Sequence, residues 1–322
     1  MKCKLIVGLI AGIFVMLSSM AYPQAYPNKP VMMLVAFAAG GATDVGARIV
    51  SSIAEKDLGQ PIVVLNKVGA GGQVGWTELS RQKPDGYFIG FIQLPFINAM
   101  ILEAERKTVF NVDSFTPIIS QVLDPGVIYV KPGSPYKSLK DLINDAQKRP
   151  GEIKVGTTGL NGDDHLAILM VEEAAKVKFR IVHFDGDPSS ITALLGGQID
   201  VSFLNVGGLV PRVKAGQIIP LVVMDKERTK FFPEVWTTAE QGYPTIISSS
   251  TRGIVGPKGI PEPIVKKLQA VFKKAMEDPE HLDRMDKAGL AIKIMTGEDY
   301  RKYMLDMHAR VKKLMETAHK TM

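Results

Sequence analysis

Short apolar runs rich in Val, Ile and Phe alternate along the chain with stretches whose apolar residues recur at helical spacing, the pattern of parallel strands covered by helices. The runs predict strands at 31–37, 62–65, 87–92, 126–130, 153–157, 179–184, 200–204 and 218–224. Between them, "SLKDLINDAQKR" reads as a helix capped by the Ser138 hydroxyl and stopped by Pro150 and Gly151. From residue 262 the pattern is helical only. Ile264, Val265, Leu268, Val271, Phe272 and Ala275 mark one apolar face, and Tyr300, Met304, Met307, Val311 and Leu314 mark another, as expected of helices that cover a sheet.

Residues 1–25 stand apart from this pattern. Lys2 and Lys4 precede an uncharged apolar core from Leu5 to Leu17, and small residues offer cleavage near Ala21 or Ala25, which reads as a secretory signal peptide. The core is shorter than the roughly 20 residues that span a membrane, and no later segment approaches that length. Cys3, the only cysteine, lies before the apolar core, so neither a lipid anchor, a disulfide nor a thiol nucleophile is expected. An exported, unlipidated product suits the periplasm. Setting aside Lys2 and Lys4 lowers the formal charge from +6 to +4. Basic residues are interspersed with acidic ones and form no tract, which argues against nucleic acid and leaves a slight field favouring small anions.

The stretch "VAFAAGGATDVGAR" (35–48) passes from a strand through adjacent glycines into a helix. Gly40 and Gly41 let the backbone turn tightly, Thr43 is a candidate helix cap, and Asp44 falls in the first turn. Unpaired N–H groups and the positive end of the helix dipole there stabilise an anion. Nucleotide fingerprints fail: Gly41 and Gly46 have Walker spacing, but Ala47 and Arg48 follow where Lys and Ser or Thr are needed. "GAGGQVG" (69–75) lacks the dinucleotide-binding spacing and reads as a second glycine loop. A third, "GTTGLNGDDH" (156–165), repeats the opening logic: Thr157, Thr158 and Asn161 add side-chain donors, and Gly159 and Gly162 free the backbone. Asp163, Asp164 and His165 are not read as a metal site, because neighbours at a helix start point apart and no other His or Cys completes a set. No nucleophile elbow is present, the five histidines have no companion motif, and no cofactor is implied. His183 is expected in the core or at a cleft edge.

"YPNKPVMMLVAFAAGGATDVGAR", "LGQPIVVLNKVGAGGQVG", "KPDGY", "FTPI", "HFDGDP", "ALLGGQIDVSF", "VKAGQIIPLVV" and "RGIVGPKGIPEPIVKKL" resemble, in this order, the extracytoplasmic solute receptors of tripartite tricarboxylate transporters, the Bug family. The resemblance implies an α/β periplasmic binding protein, type II-like, with parallel-dominated sheets flanked by helices and a ligand cleft between two lobes. One domain would comprise residues 26–127 plus 252–322 and the other 128–251. It further implies a monomer that is not an enzyme and that captures a small organic carboxylate: a di- or tricarboxylate, an amino acid or an aromatic acid. Its partners would be the large and small integral-membrane permease subunits. Backbone N–H groups of Phe37 to Asp44 (Phe37, Ala38, Ala39, Gly40, Gly41 and Asp44) and of Thr157 to Gly162 would hold the carboxylate, with Gln93, Asp185, Asn205 and Arg252 as further contacts. Two crossing segments would join the lobes, near residues 127 and 251, and Arg252 has a plain hinge salt bridge at the second as its alternative role. Two stretches depart from the family pattern. "QLPFINAM", with Gln93, Pro95 and Phe96, makes the cleft bulkier, and "GDDH" brings two carboxylates beside the second loop, which disfavours a second ligand carboxylate or selects an amino group. A sensing subunit for a membrane kinase and an exported enzyme on the same scaffold are the competing functions.

Overall fold

The structure, a computed structural model, describes residues 26–184, 186–207 and 209–321, with side chains through residue 316. Residues 1–25, expected to be a signal peptide, and Asp185, an expected ligand contact, lie outside the described residues. In chain order the larger elements are β1 (Val31–Val35), α1 (Ala42–Leu58), β2 (Ile62–Asn66), α2 (Gln73–Arg81), β3 (Phe88–Leu94), α3 (Phe96–Leu102) and β4 (Phe115–Val130). There follow α4 (Leu139–Lys148), β5 (Lys154–Thr157), α5 (Asp163–Ala175), β6 (Arg180–His183), α6 (Asp187–Leu195), β7 (Val201–Asn205), α7 (Val210–Lys214) and β8 (Ile219–Val223). β9 (Ser249–Pro257), α8 (Glu262–Glu277), α9 (Pro279–Lys287) and α10 (Gly297–Thr321) close the sequence of elements.

The strands form one curled sheet in the order β2-β1-β3-β9-β4-β7-β5-β6, with β8 on β4. β1 runs parallel to β2 and β3, and β5 runs parallel to β6 and β7. The sheet is nonetheless mixed, because every pairing made by β4 or β9 is antiparallel. β4 links the two parallel groups. Its first part, Phe115 to Pro125, pairs with β9, and Gly126 to Tyr129 pair with β7.

Side-chain alternation along each strand explains the layers. Val31, Met33 and Val35 of β1 pack with α1, α8 and α9, whereas Leu34 packs with Trp76 of α2 and with Tyr300, Met304 and Met307 of α10. In the other group, Ile128 and Val130 face α4 and α5, and Val127 and Tyr129 face α6 and α7. Ser138 caps α4 as expected, its hydroxyl accepting the Asp141 N–H at 3.1 Å.

Two parts of the sheet were not expected from the pattern. β9 and the first ten or so residues of β4 carry buried polar side chains, among them Ser120, Gln121, Asp124, Ser250, Thr251 and Arg252, so their sequences do not read as apolar runs. The region after residue 262 is also not purely helical: Ile292 and Thr296 bridge to Val122 and Ile119 of β4.

Candidate functional site

β1 ends at Val35, and the chain turns through Phe37 to Gly41 before α1 starts at Ala42. Gly40, at φ 80°, holds the left-handed conformation that favours glycine, whereas Gly41 is extended at φ −73°, ψ 163° and is the N-cap. Thr43 therefore lies inside the helix and does not cap it. Asp44 is also not free to meet a ligand. Its Oδ2 accepts the Gly40 N–H at 2.9 Å and Arg48 Nε at 3.0 Å, and its Oδ1 accepts Asn66 Nδ2 at 2.9 Å. Burial works to raise its pKa, but the bonds from Arg48, Gly40 and Asn66 hold the carboxyl below its ordinary range. The Gly40 N–H is thus committed to shaping the loop, as is Asn66, which also donates to the Phe37 carbonyl at 3.0 Å. Ala38, Ala39, Gly40 and Gly41 remain exposed on the loop surface. The first-turn N–H groups of Ala42 and Thr43, beyond reach of intrahelical carbonyls, complete the donor surface.

The second loop, between β5 and α5, is also held from within. Thr157 Oγ1 donates to the Gly159 carbonyl at 3.0 Å, and Thr158 Oγ1 donates to Asp164 Oδ2 at 2.6 Å. Asn161 gives its N–H to His165 Nδ1 at 3.0 Å and its side-chain amide to Glu103 Oε2 at 3.1 Å. The side-chain donors expected to face a ligand are therefore engaged elsewhere; they position the loop. Burial pushes His165 down to about 4, with the neighbouring His183 adding to it. His183 is exposed and not in the core; its ring meets His165 edge-on with centroids 5.0 Å apart.

Phe96 brings the glycine loops together. Its ring atoms lie 3.0 to 3.8 Å from where Cβ atoms would stand on Gly71, Gly159 and Gly162, and its ring also packs edge-on against Phe37 at 6.1 Å. A side chain on Gly71 or Gly162 would crowd the ring, and one on Gly159 would meet it at ordinary contact distance. Loops that are far apart in sequence thus share one aromatic neighbour.

Beneath them lies a buried polar cluster. Arg252 Nη2 pairs with Asp124 Oδ2 at 3.0 Å, the two side chains being 5% and 0% exposed. Asp124 Oδ1 accepts the Gly207 N–H at 2.9 Å. Asn205 Nδ2 donates to Asp163 Oδ2 at 2.9 Å and to the Asp124 carbonyl at 3.2 Å, and Gln93 Nε2 donates to Ser250 Oγ at 2.7 Å. Burial pushes Asp124 up to about 6 against the pull of Arg252, and burial pushes Asp187 up to about 6 as well. Asp163, Asp164 and His165 have three different partners, and among the described residues no three His, Cys, Asp or Glu side chains are placed to hold a metal ion.

Asp124, Asp187, Glu103 and Asn66 were not among the residues expected at the site, whereas Phe96 was expected only as bulk in the cleft. Asp124 had a visible signal, a lone acid inside the apolar run "QVLDPGVIYV", and Asp187 another, an acid just before the proline that opens a helix. Nothing local marks Glu103 or Asn66, whose partners are 58 and 22 residues away.

A two-group α/β sheet with paired strand-to-helix glycine loops defines a class of binding proteins. The chain belongs to the tripartite tricarboxylate transporter family of receptors, whose family model matches residues 46–319. It is 28% identical to protein BugT of Bordetella pertussis strain Tohama I over 92% of both chains. Among solved structures it resembles MatC from Rhodopseudomonas palustris with bound malate, at 26% identity and TM-score 0.81, covering 90% of this chain and 99% of that one. It also resembles R. palustris Rpa4515 with adipate, at 25% identity and TM-score 0.84, covering 91% and 98%. The fold is that of the periplasmic binding proteins. Among the described residues no helix is long and apolar enough to cross a membrane.

Proposed function

We propose that this protein is a periplasmic receptor that captures a small carboxylate and delivers it to a membrane permease of the tripartite type, without chemistry of its own. The ligand would sit between residues 26–127 with 252–322 on one side and 128–251 on the other. The observation that carries the reading is the pair of glycine loops, each followed directly by a helix start and both packed on Phe96 or its ring neighbours. Helix-start N–H groups suit a planar anion. The malate and adipate held by the two R. palustris relatives support a carboxylate over a phosphate.

A thermal-shift screen of mono- and dicarboxylates against nucleotides and sugar phosphates tests the ligand class. A ligand at a hundred times its dissociation constant adds about 2.7 kcal/mol of stability. Gly41→Val should weaken carboxylate binding with little loss of stability, because Gly41 has an ordinary φ and its added Cβ meets only the Ala38 carbonyl, at 3.4 Å. Stabilisation by phosphorylated compounds alone would refute the reading. Delivery, as opposed to sensing, requires that deleting the gene abolish uptake of a labelled ligand. Export requires a periplasmic product beginning after Ala21 or Ala25.

A further inference from the structure

The buried charges around Arg252 do not balance. Asp124, Asp163 and Asp187 all act on this one guanidinium, and Asp163 and Asp187 in turn act on Asp164. Asp124 has both oxygens engaged, by Arg252 and by the Gly207 N–H, and Asp163 is held by Asn205. Asp164 and Asp187 differ. Asp164 is 1% exposed, Thr158 satisfies its Oδ2, and its Oδ1 has no hydrogen-bond partner among the described residues. The half-buried Asp187 side chain makes no hydrogen bond or ion pair among them. On the opposite side of the balance, Arg252 is 4% exposed, and its Nε and Nη1 have no hydrogen-bond partner among the described residues.

From this arrangement we infer that the ligand carries a protonated amine as well as a carboxylate, and that Asp164 and Asp187 receive the amine; the inference rests on the carboxylate reading above. The unpartnered Asp164 Oδ1 and the unpartnered Arg252 N–H groups, joined into one buried cluster through Asp163, Asn205 and Asp124, are both strongly unfavourable. A ligand with one charge of each sign answers both. A plain dicarboxylate answers only the guanidinium and adds negative charge where carboxylates already outnumber the arginine. A metal ion would need three or more converging ligands, which the described residues do not supply, whereas an ammonium has three rotatable donors and is satisfied by a few acceptors. Burial raises the Asp164 pKa well above its ordinary value, with the Asp163 charge adding to the effect. An arriving ammonium lowers it again, so binding of the amine should release a proton.

Matched pairs of compounds test this by titration calorimetry: succinate against γ-aminobutyrate, and adipate against ε-aminocaproate. In each pair the carbon count is kept and one terminal carboxylate becomes an aminomethyl group, which carries the ammonium. At least one amino compound should bind roughly tenfold or more tightly than its dicarboxylate partner, the scale of one charge-assisted hydrogen bond. Asp164→Asn and Asp187→Asn should each lose roughly that factor for the amino compound and leave the dicarboxylate no weaker. Asp187→Asn is the safer variant, since that side chain holds no other element in place. Tighter or equal binding of both dicarboxylates, or amino-compound binding indifferent to both variants, would overturn the inference while the carboxylate reading stands. Binding of no compound in either pair would bring down both.

Discussion

Replacing Arg252 with Met removes the only guanidinium paired with Asp124 while keeping most of the side-chain volume. The pair is fully buried, with Nη2 and Oδ2 3.0 Å apart. Removing one member of such a pair costs about 3 to 5 kcal/mol, because the other charge is left without a partner away from water. That cost should depend on pH. The Asp124 carboxyl is pushed up to about 6 from an ordinary 3.8, so the folded chain holds its proton more tightly than the unfolded one. Stability from this group therefore falls as pH rises from about 4 to about 6 and is level above, a total of about 3 kcal/mol for the shift. Without Arg252 the folded value rises further, and the fall continues to higher pH. Urea denaturation followed by fluorescence of the buried Trp76 should show Arg252→Met destabilised by about 3 to 5 kcal/mol near pH 8 and by less than half of that near pH 5, where Asp124 is mostly protonated in both proteins. Equal destabilisation at the two pH values would refute the reasoning.

Gly253→Ala should destabilise by about 1 to 3 kcal/mol, since its Cβ would collide with the Tyr300 hydroxyl and stand 2.9 Å from the Ile119 carbonyl; Tyr300→Phe, which deletes a buried hydroxyl without a partner, should be near neutral alone and partly rescue the variant in a double-mutant cycle. Absence of rescue would show that the carbonyl contact dominates. Burial pushes His281 down to about 4, so it is neutral when folded but charged when unfolded between that value and its ordinary 6.5; its contribution is present above about 6.5 and is lost as pH falls toward 4. His281→Leu should flatten the stability profile over that window, and an unchanged slope in calorimetric melts would contradict this. Phe96→Ala should loosen the contacts that bring the glycine loops together, giving a larger radius of gyration by small-angle scattering with saturating carboxylate; a profile identical to wild type would count against that role.

Eight of the nine strands were legible as short apolar runs, which in the central strands follows from helices on either side of the sheet, although the edge strand β2 leaves Val63 and Leu65 exposed. β9 was not, and β4 was legible only in its second part. "SSSTRGIVGP" and "FTPIISQVLDPG" do not read as apolar runs, since their polar residues are buried against partners far along the chain: Arg252 and Asp124 are 128 apart. The glycine loops were visible from their spacing. What their polar side chains do was not visible, because that depends on partners brought in by other elements. Asp44 faces Asn66 from β2, and Asn161 faces Glu103 from beyond α3. Thr43 illustrates a smaller limit: the capping residue type was present, but the N-cap is Gly41, two residues too early for it.

The central claim is that the two glycine loops together hold a carboxylate through backbone N–H groups. Amide chemical shifts of isotope-labelled protein, recorded while a bound carboxylate is titrated in, test it residue by residue. The account predicts large downfield shifts at the amides not already bonded within the loops, Ala39, Ala42 and Thr43 in the first and Leu160 and Gly162 in the second, saturating together with one dissociation constant. Gly41→Val should abolish both sets. Saturable binding that leaves these amides unmoved, or that moves one loop and not the other, would contradict it.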